Sequence, residues 1–328
     1  VRVSGSNVQI SLDGSSWTTV GTVNAVNNGQ ATSLVINLNA SANEENLGHV
    51  MDAIRYRSTS DNPTQNGASP TRAYSLIVND GNNNGLAGGL TSLNSNLVSG
   101  GTISFDTIND TAIADLNGPA LGTDTSVNWN EVANGTHLAV TATPGAEFTD
   151  PDNTNLTQMR FTLSGLLDGN SEVLRIAGAD FLLGTTYTNV DVGDFLVSYN
   201  HATGLFTLVP DGPAVESIAN YQTLLRGITY NNTTDNPSAG ARVFTLVLTD
   251  AGPEDDGVDT LDGPSSAFTV NVVPNNDQPV ITGLTPVVFM ENAINTAAAT
   301  IDPVIIVTDI DSPTYDGGSL VVSGLVAG

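Results

Sequence analysis

The feature that most constrains this chain is that it repeats itself. Ile103-Ser104-Phe105-Asp106-Thr107-Ile108-Asn109-Asp110 and Phe268-Thr269-Val270-Asn271-Val272-Val273-Pro274-Asn275-Asn276-Asp277 share one plan, with Asp277 lying 167 residues beyond Asp110. In each, apolar alternation gives way to Asn and Asp and a fresh strand-like run follows without a helical link, so each reads as a joint between β modules. Other stretches repeat in the same order. Val1-Arg2-Val3-Ser4-Gly5 matches Leu174-Arg175-Ile176-Ala177-Gly178, Tyr74 to Gly81 matches Phe244 to Ala251, and Phe148-Thr149-Asp150-Pro151-Asp152 matches Val307-Thr308-Asp309-Ile310-Asp311. A period of this length implies a tandem array. Residues 1–113 are expected to be the last two thirds of one unit, 114–280 a complete unit and 281–328 the first third of the next. Counted on the repeat, the end of the chain falls just short of its beginning. Two expectations follow: an array cut inside a unit, or a fibre subunit whose ends are completed by neighbouring subunits.

Within a unit the pattern is that of strands. Val, Thr, Ile, Asn, Asp and Gly dominate, and Asn28-Gly29, Asn66-Gly67 and Asn84-Gly85 mark hairpin turns. One helix interrupts the strands. Val215, Ile218, Tyr221, Leu225 and Ile228 fall near helical spacing between Pro213 and Gly227, and Leu47, Val50, Met51 and Ile54 repeat this behind Asn43, Glu44 and Glu45. The expected fold is all-β: tandem antiparallel sandwich modules, each with one short helix. Residues 174–208 are surplus to a small sandwich and are expected to add hairpins.

Charge narrows the partners. The formal net charge is −26 and all eight basic residues are Arg. Such a surface repels nucleic acid and anionic lipid and favours divalent cations. Without Lys there is no P-loop, Schiff base or Lys isopeptide staple, and without Cys no disulfide, thiolate zinc site or Cys nucleophile. No apolar run approaches the roughly 20 residues of a membrane helix, and Val1-Arg2-Val3-Ser4 does not read as a signal peptide. The segment is therefore expected to be soluble, without direct membrane insertion, its targeting information lying elsewhere. His49, His137 and His201 are isolated, no Gly-x-Ser-x-Gly elbow occurs, and no enzyme is expected.

The strand ending in an acid and a turn, Phe244 to Ala251, followed by a Val-rich strand and Asn276-Asp277-Gln278-Pro279, resembles the closing strands of cadherin-like domains. With Asp235-Asn236-Pro237, the whole unit is most similar to the tandem cadherin-like, Ig-like Greek-key repeats of giant bacterial surface adhesins, at the level of pattern over nearly the whole chain. The resemblance implies calcium between successive modules and an extracellular, cell-surface location. Carried over by position, it implies Asp61, Asn109, Asp110, Glu131, Asp150 and Asp152 as ligands at the first joint. At the second it implies Asp235, Asn276, Asp277, Glu291, Asp309 and Asp311. Calcium takes six to eight oxygens, and carboxylates drawn from a linker and two loops supply them only when the modules share one orientation. Two departures stand out. The family's linker opens with an Asp where this chain has Thr107 or Pro274, and Asp110 and Glu131 lie 21 residues apart against 14 for Asp277 and Glu291.

The expected function is that of a calcium-stiffened extender in a large adhesin or extracellular fibre, its partners being neighbouring repeats or neighbouring fibre subunits. Two alternatives are a polymerising subunit that exchanges strands and a calcium-dependent glycan- or surface-binding module. The last would need exposed aromatics near the metal, for which Trp17 and Trp129 are the candidates, although single Trp residues in β modules are usually packed. The run Glu254, Asp255, Asp256, Asp259 and Asp262 lacks the spacing of an EF-hand loop and its upstream counterpart is acid-free, so it reads first as a solvated charge run and second as an extra cation site.

Overall fold

Alternation of period two runs through the strongest strands, and in the computed structural model it sorts their side chains into a buried and an outer face. The structure describes residues 1–81, 93–106, 108–131, 136–141, 145–252 and 260–324. The expected turn at Asn84-Gly85, Thr107, and Glu254, Asp255, Asp256 and Asp259 lie outside them. The chain is all-β with few helices and divides into two compact units, Val1–Ser60 and Asp61–Gly328.

In the first unit, Arg2–Ser4, Asn7–Ile10, Thr18–Asn28 and Leu34–Leu38 pair in sequence order as one antiparallel sheet. Helix Glu44–Asp52 is capped by Asn43, whose side chain accepts the Asn46 N–H at 2.8 Å, and Val50 joins Val8, Ile10 and Val20 in a small core.

In the second unit the long sheet runs, neighbour to neighbour, Tyr187–Asp191, Phe195–Asn200, Leu205–Pro210, Asn155–Ser164, Gly240–Asp250, Ser266–Val273 and Thr125–Asn130. Every pairing is antiparallel except the last, where Thr125–Asn130 lies parallel to Ser266–Val273. A second sheet joins Ala179–Leu182, Glu172–Ile176, Thr229–Asn232 and Leu138–Ala139, and Ile113–Asp115 pairs with Glu147–Thr149. The surplus residues 174–208 do form hairpins. Both larger sheets feed one hydrophobic core, in which Phe161 meets Phe206, Phe244 and Phe268, and Trp129 packs edge-on against Tyr230 with ring centres 6.1 Å apart.

Helix Ile218–Arg226 starts later than its Pro213 signal because Glu216–Ser217 first pairs with Asn155–Leu156. Ser217 then caps it, accepting the Asn220 N–H at 3.2 Å, and the Gly227 N–H turns back onto Thr223 and Leu224. Tyr221, Leu224 and Leu225 face the core.

Strand Gly240–Asp250 lies at the centre of the sheet, and its inward face reads Arg242, Phe244, Leu246, Leu248, Asp250. Three apolar side chains are thus flanked by two charges, each wholly buried. A buried charge is costly unless it is paired or coordinates an ion. The surroundings of Arg242 and Asp250 therefore show what each end of the strand serves.

Residues 280–324 form only the pair Val280–Thr282 with Ile306–Thr308 and the short helix Glu291–Ile294. Val307 and Val322 are 45% and 56% exposed, whereas their repeat counterparts Phe148 and Leu163 are 5% and 6% exposed. Counterparts of the partner strands 205–210, 240–250 and 266–273 do not occur within 280–324.

Candidate functional site: the two joints

At the first joint the Asp110 N–H donates to Asp152 Oδ2 at 3.1 Å. Asp150 Oδ1 accepts the N–H groups of Asp152 and Asn153 at 3.1 and 2.9 Å, an Asx-type turn that holds the Asp-x-Asp loop in shape. Asn109 Nδ2 donates to Asp250 Oδ1 at 3.0 Å, tying the linker to the buried end of the central strand. The remaining oxygens Asp150 Oδ2, Asp152 Oδ1 and Asp250 Oδ2 are buried and lack a hydrogen-bond partner among the described residues. Asp250 and Asp152 are 0% and 4% exposed.

Electrostatics register this crowding. Burial, followed by the closeness of the Asp152 side chain, pushes the Asp150 carboxyl up to about 7. Burial, and then the charges of Asp152 and Asp61, raise Asp110 above the ordinary carboxylate value. Asp61 thus lies within electrostatic reach of the linker, although its own side chain is exposed.

The second joint repeats the backbone plan. The Asp277 N–H donates to Asp311 Oδ2 at 3.1 Å, and Asp309 Oδ1 accepts the N–H groups of Asp311 and Ser312 at 3.4 and 3.1 Å. Asp235, Asp277 and Asp309 line one recess of about 460 Å³ with Thr308 and Ile310. This joint is more open, and Asp311 is held below the ordinary carboxylate value by its hydrogen bonds from Asp309 and the Asp277 N–H. Asn276 is exposed and its side chain donates to the Asp277 carbonyl at 3.0 Å.

Two acids are placed differently from the sequence expectation. Glu131 lies beside the second joint rather than the first: Glu131 Oε2 accepts the Asn275 N–H at 2.6 Å, and Glu131 is 7% exposed with Oε1 unpartnered among the described residues. The cause is the parallel pairing of Asn130 with Val273, which brings the end of a module's early strand beside the end of its last strand. Glu291 is exposed at the start of helix Glu291–Ile294 and does not line the recess of Asp235, Asp277 and Asp309. Asp250, by contrast, was absent from the expected ligand set. Its signal was present: an acid closing the same strand at Asp80 and Asp250 in both copies.

The remaining candidates resolve simply. Trp129 is 1% exposed and packed in the core, and Arg2 lies over the Trp17 ring at 3.9 Å. Asp262 is engaged by Arg160 in an ion pair and accepts the Thr249 hydroxyl at 2.8 Å. His49 and His201 are exposed, and burial lowers the half-buried His137.

The donor set at both joints is all oxygen and mostly carboxylate, which suits calcium and not a soft metal. As the side chains stand, no three Asp, Glu or His residues among the described residues close on a point near enough to hold a metal ion. Comparisons with protein-family models, with curated proteins and with solved structures find no match.

Proposed function

We propose that the chain is a calcium-stiffened extender segment of a large cell-surface adhesin or extracellular fibre, built from tandem cadherin-like Greek-key sandwich modules. The observation that carries this reading is the first joint: three buried carboxylate oxygens, on Asp150, Asp152 and Asp250, have no hydrogen-bond partner among the described residues. Unpaired buried carboxylate costs several kcal/mol, and a hard dication removes that cost. Asp150, Asp152 and Asp250 would hold it with Asn109 and Asp110 of the linker. At the second joint Asp235, Asp277, Asp309 and Asp311 would do so, with Glu131 arriving from the strand beside the linker.

Asn109 and Asp110 belong to the span between modules while Asp150, Asp152 and Asp250 belong to the module body. A shared ion therefore ties the span to the body. At tenfold excess over its dissociation constant it would add about 1.4 kcal/mol per independent site to the ordered state.

The test is calcium titration of the full chain, read by thermal melting and small-angle scattering. Melting temperature should rise and the scattering profile sharpen toward a single length in millimolar calcium, with both reversed by chelator. Asp150→Asn with Asp250→Asn should remove the larger part of the response. A wild-type chain that behaves identically in calcium and chelator would overturn the reading.

A further inference from the structure

The other buried charge of the central strand, Arg242, faces the opposite end of the module. Its guanidinium donates to Glu172 Oε2 from Nε at 2.9 Å, and from Nη2 to Glu172 Oε1 and Asp168 Oδ2 at 3.0 and 3.1 Å. Glu172 is itself wholly buried and also accepts the Tyr230 hydroxyl and the N–H groups of Leu167 and Asp168. The cluster is fully satisfied, so it needs no ion.

Asp168 looks outward from this cluster onto the loop that carries Asp235. It accepts Asn232 Nδ2 at 2.7 Å, where the loop leaves its strand, and the Ser238 N–H at 3.0 Å, where the loop returns. Between these anchors the Thr233 N–H donates to the Ser171 carbonyl at 2.8 Å, and the Thr234 and Asn236 N–H groups are taken by Asn232 and Thr234 side chains. At its tip Asn236 Nδ2 donates to the carbonyl of Ile310 at 2.9 Å, between Asp309 and Asp311 of the following segment. Repetition supports a purpose. Arg72, the repeat counterpart of Arg242, donates to the carbonyls of Pro63 and Ser69 at 2.6 Å each, bracing the loop that carries Asp61.

We propose that residues 232–238, held at both ends by Asp168, itself paired to buried Arg242, are a pre-set docking arm whose Asn236 clasps the Ile310 carbonyl and orients the following module without a cation. An exposed hydrogen bond to a floppy loop is largely offset by the entropy of ordering that loop. Here the ordering is complete before docking, so the bond orients its partner at little further cost. Arg242 and Asp168 act as positioning residues, and the arm complements the ion sites of the proposed function rather than depending on them.

Because the chain has no Cys, spin labels at Ala202→Cys and Ile306→Cys report the distance between module body and following segment by pulsed dipolar spectroscopy. In chelator the otherwise wild-type chain should give a narrow distribution. Asn236→Ala should lose it, as should Ser238→Pro, which removes the N–H taken by Asp168 and leaves the buried ion cluster intact. Circular dichroism of both variants should match wild type. A distribution already broad in chelator, or one left narrow by both substitutions, overturns the arm. The calcium reading fails separately: a distribution lost in Asn236→Ala and untouched by calcium leaves the arm standing alone.

Discussion

Asp150 shows how a single carboxyl can make stability depend on both pH and ion. Its folded value near 7 lies above its ordinary 3.8, so the neutral form favours the folded state. That contribution is fully present below about pH 4 and is lost as pH rises through 7. In chelator, melting temperature should fall between pH 5 and pH 8, and Asp150→Asn should flatten the fall. Saturating calcium, which takes the ionised form, should reverse its sign; a slope unchanged by the substitution would assign the titration elsewhere. Arg242 gives the opposite lesson, since its charge is already paired. Arg242→Leu strands Glu172 in the core and should cost about 3–5 kcal/mol in chemical denaturation. At this scale the sequence is informative where a pattern repeats locally: the turns of Asp150-x-Asp152 and Asp309-x-Asp311 and the N–H groups of Asp110 and Asp277 make matching hydrogen bonds. Glu131 lies beside Asn275 rather than beside Asp110, a neighbour fixed by a strand pairing across more than 140 residues, which no local pattern encodes.

Strand Gly240–Asp250 carries a buried charge at each end, Asp250 beside Asn109 and Arg242 beside Asp168, with three core side chains between. Its strand character was legible from alternation, and helix Ile218–Arg226 from spacing and its closing Gly227. The late helix start was not, because the short strand Glu216–Ser217 depends on a partner at Asn155–Leu156. The turn after Asn155–Ser164 offers a test of how tightly these strands are set. Gly165 has φ +81, and a Cβ there would stand 2.3 Å from the Ala241 carbonyl oxygen, against the central strand. Gly165→Ala should therefore destabilise by about 1–3 kcal/mol in denaturant melts, and a variant of wild-type stability would mean that the turn opens freely.

Across the whole molecule, 34 acidic residues face eight Arg, and the surplus must repel itself. Raising sodium chloride from about 10 to 200 mM shortens the screening length from roughly 30 to under 10 Å, so melting temperature in chelator should climb. The climb should be smaller in calcium, where part of the charge is already neutralised; equal climbs would separate the repulsion from the joints. The tandem plan rests on a pattern written twice in the sequence, and Val307 and Val322 are exposed where their repeat counterparts Phe148 and Leu163 are buried. The parallel pairing of Thr125–Asn130 with Ser266–Val273 has a mechanical corollary. A pull on the two ends of the module would draw these neighbours past each other lengthwise, loading six paired positions together instead of parting them one at a time. Such a pair would resist tension by shear, its early strand and its last failing as one.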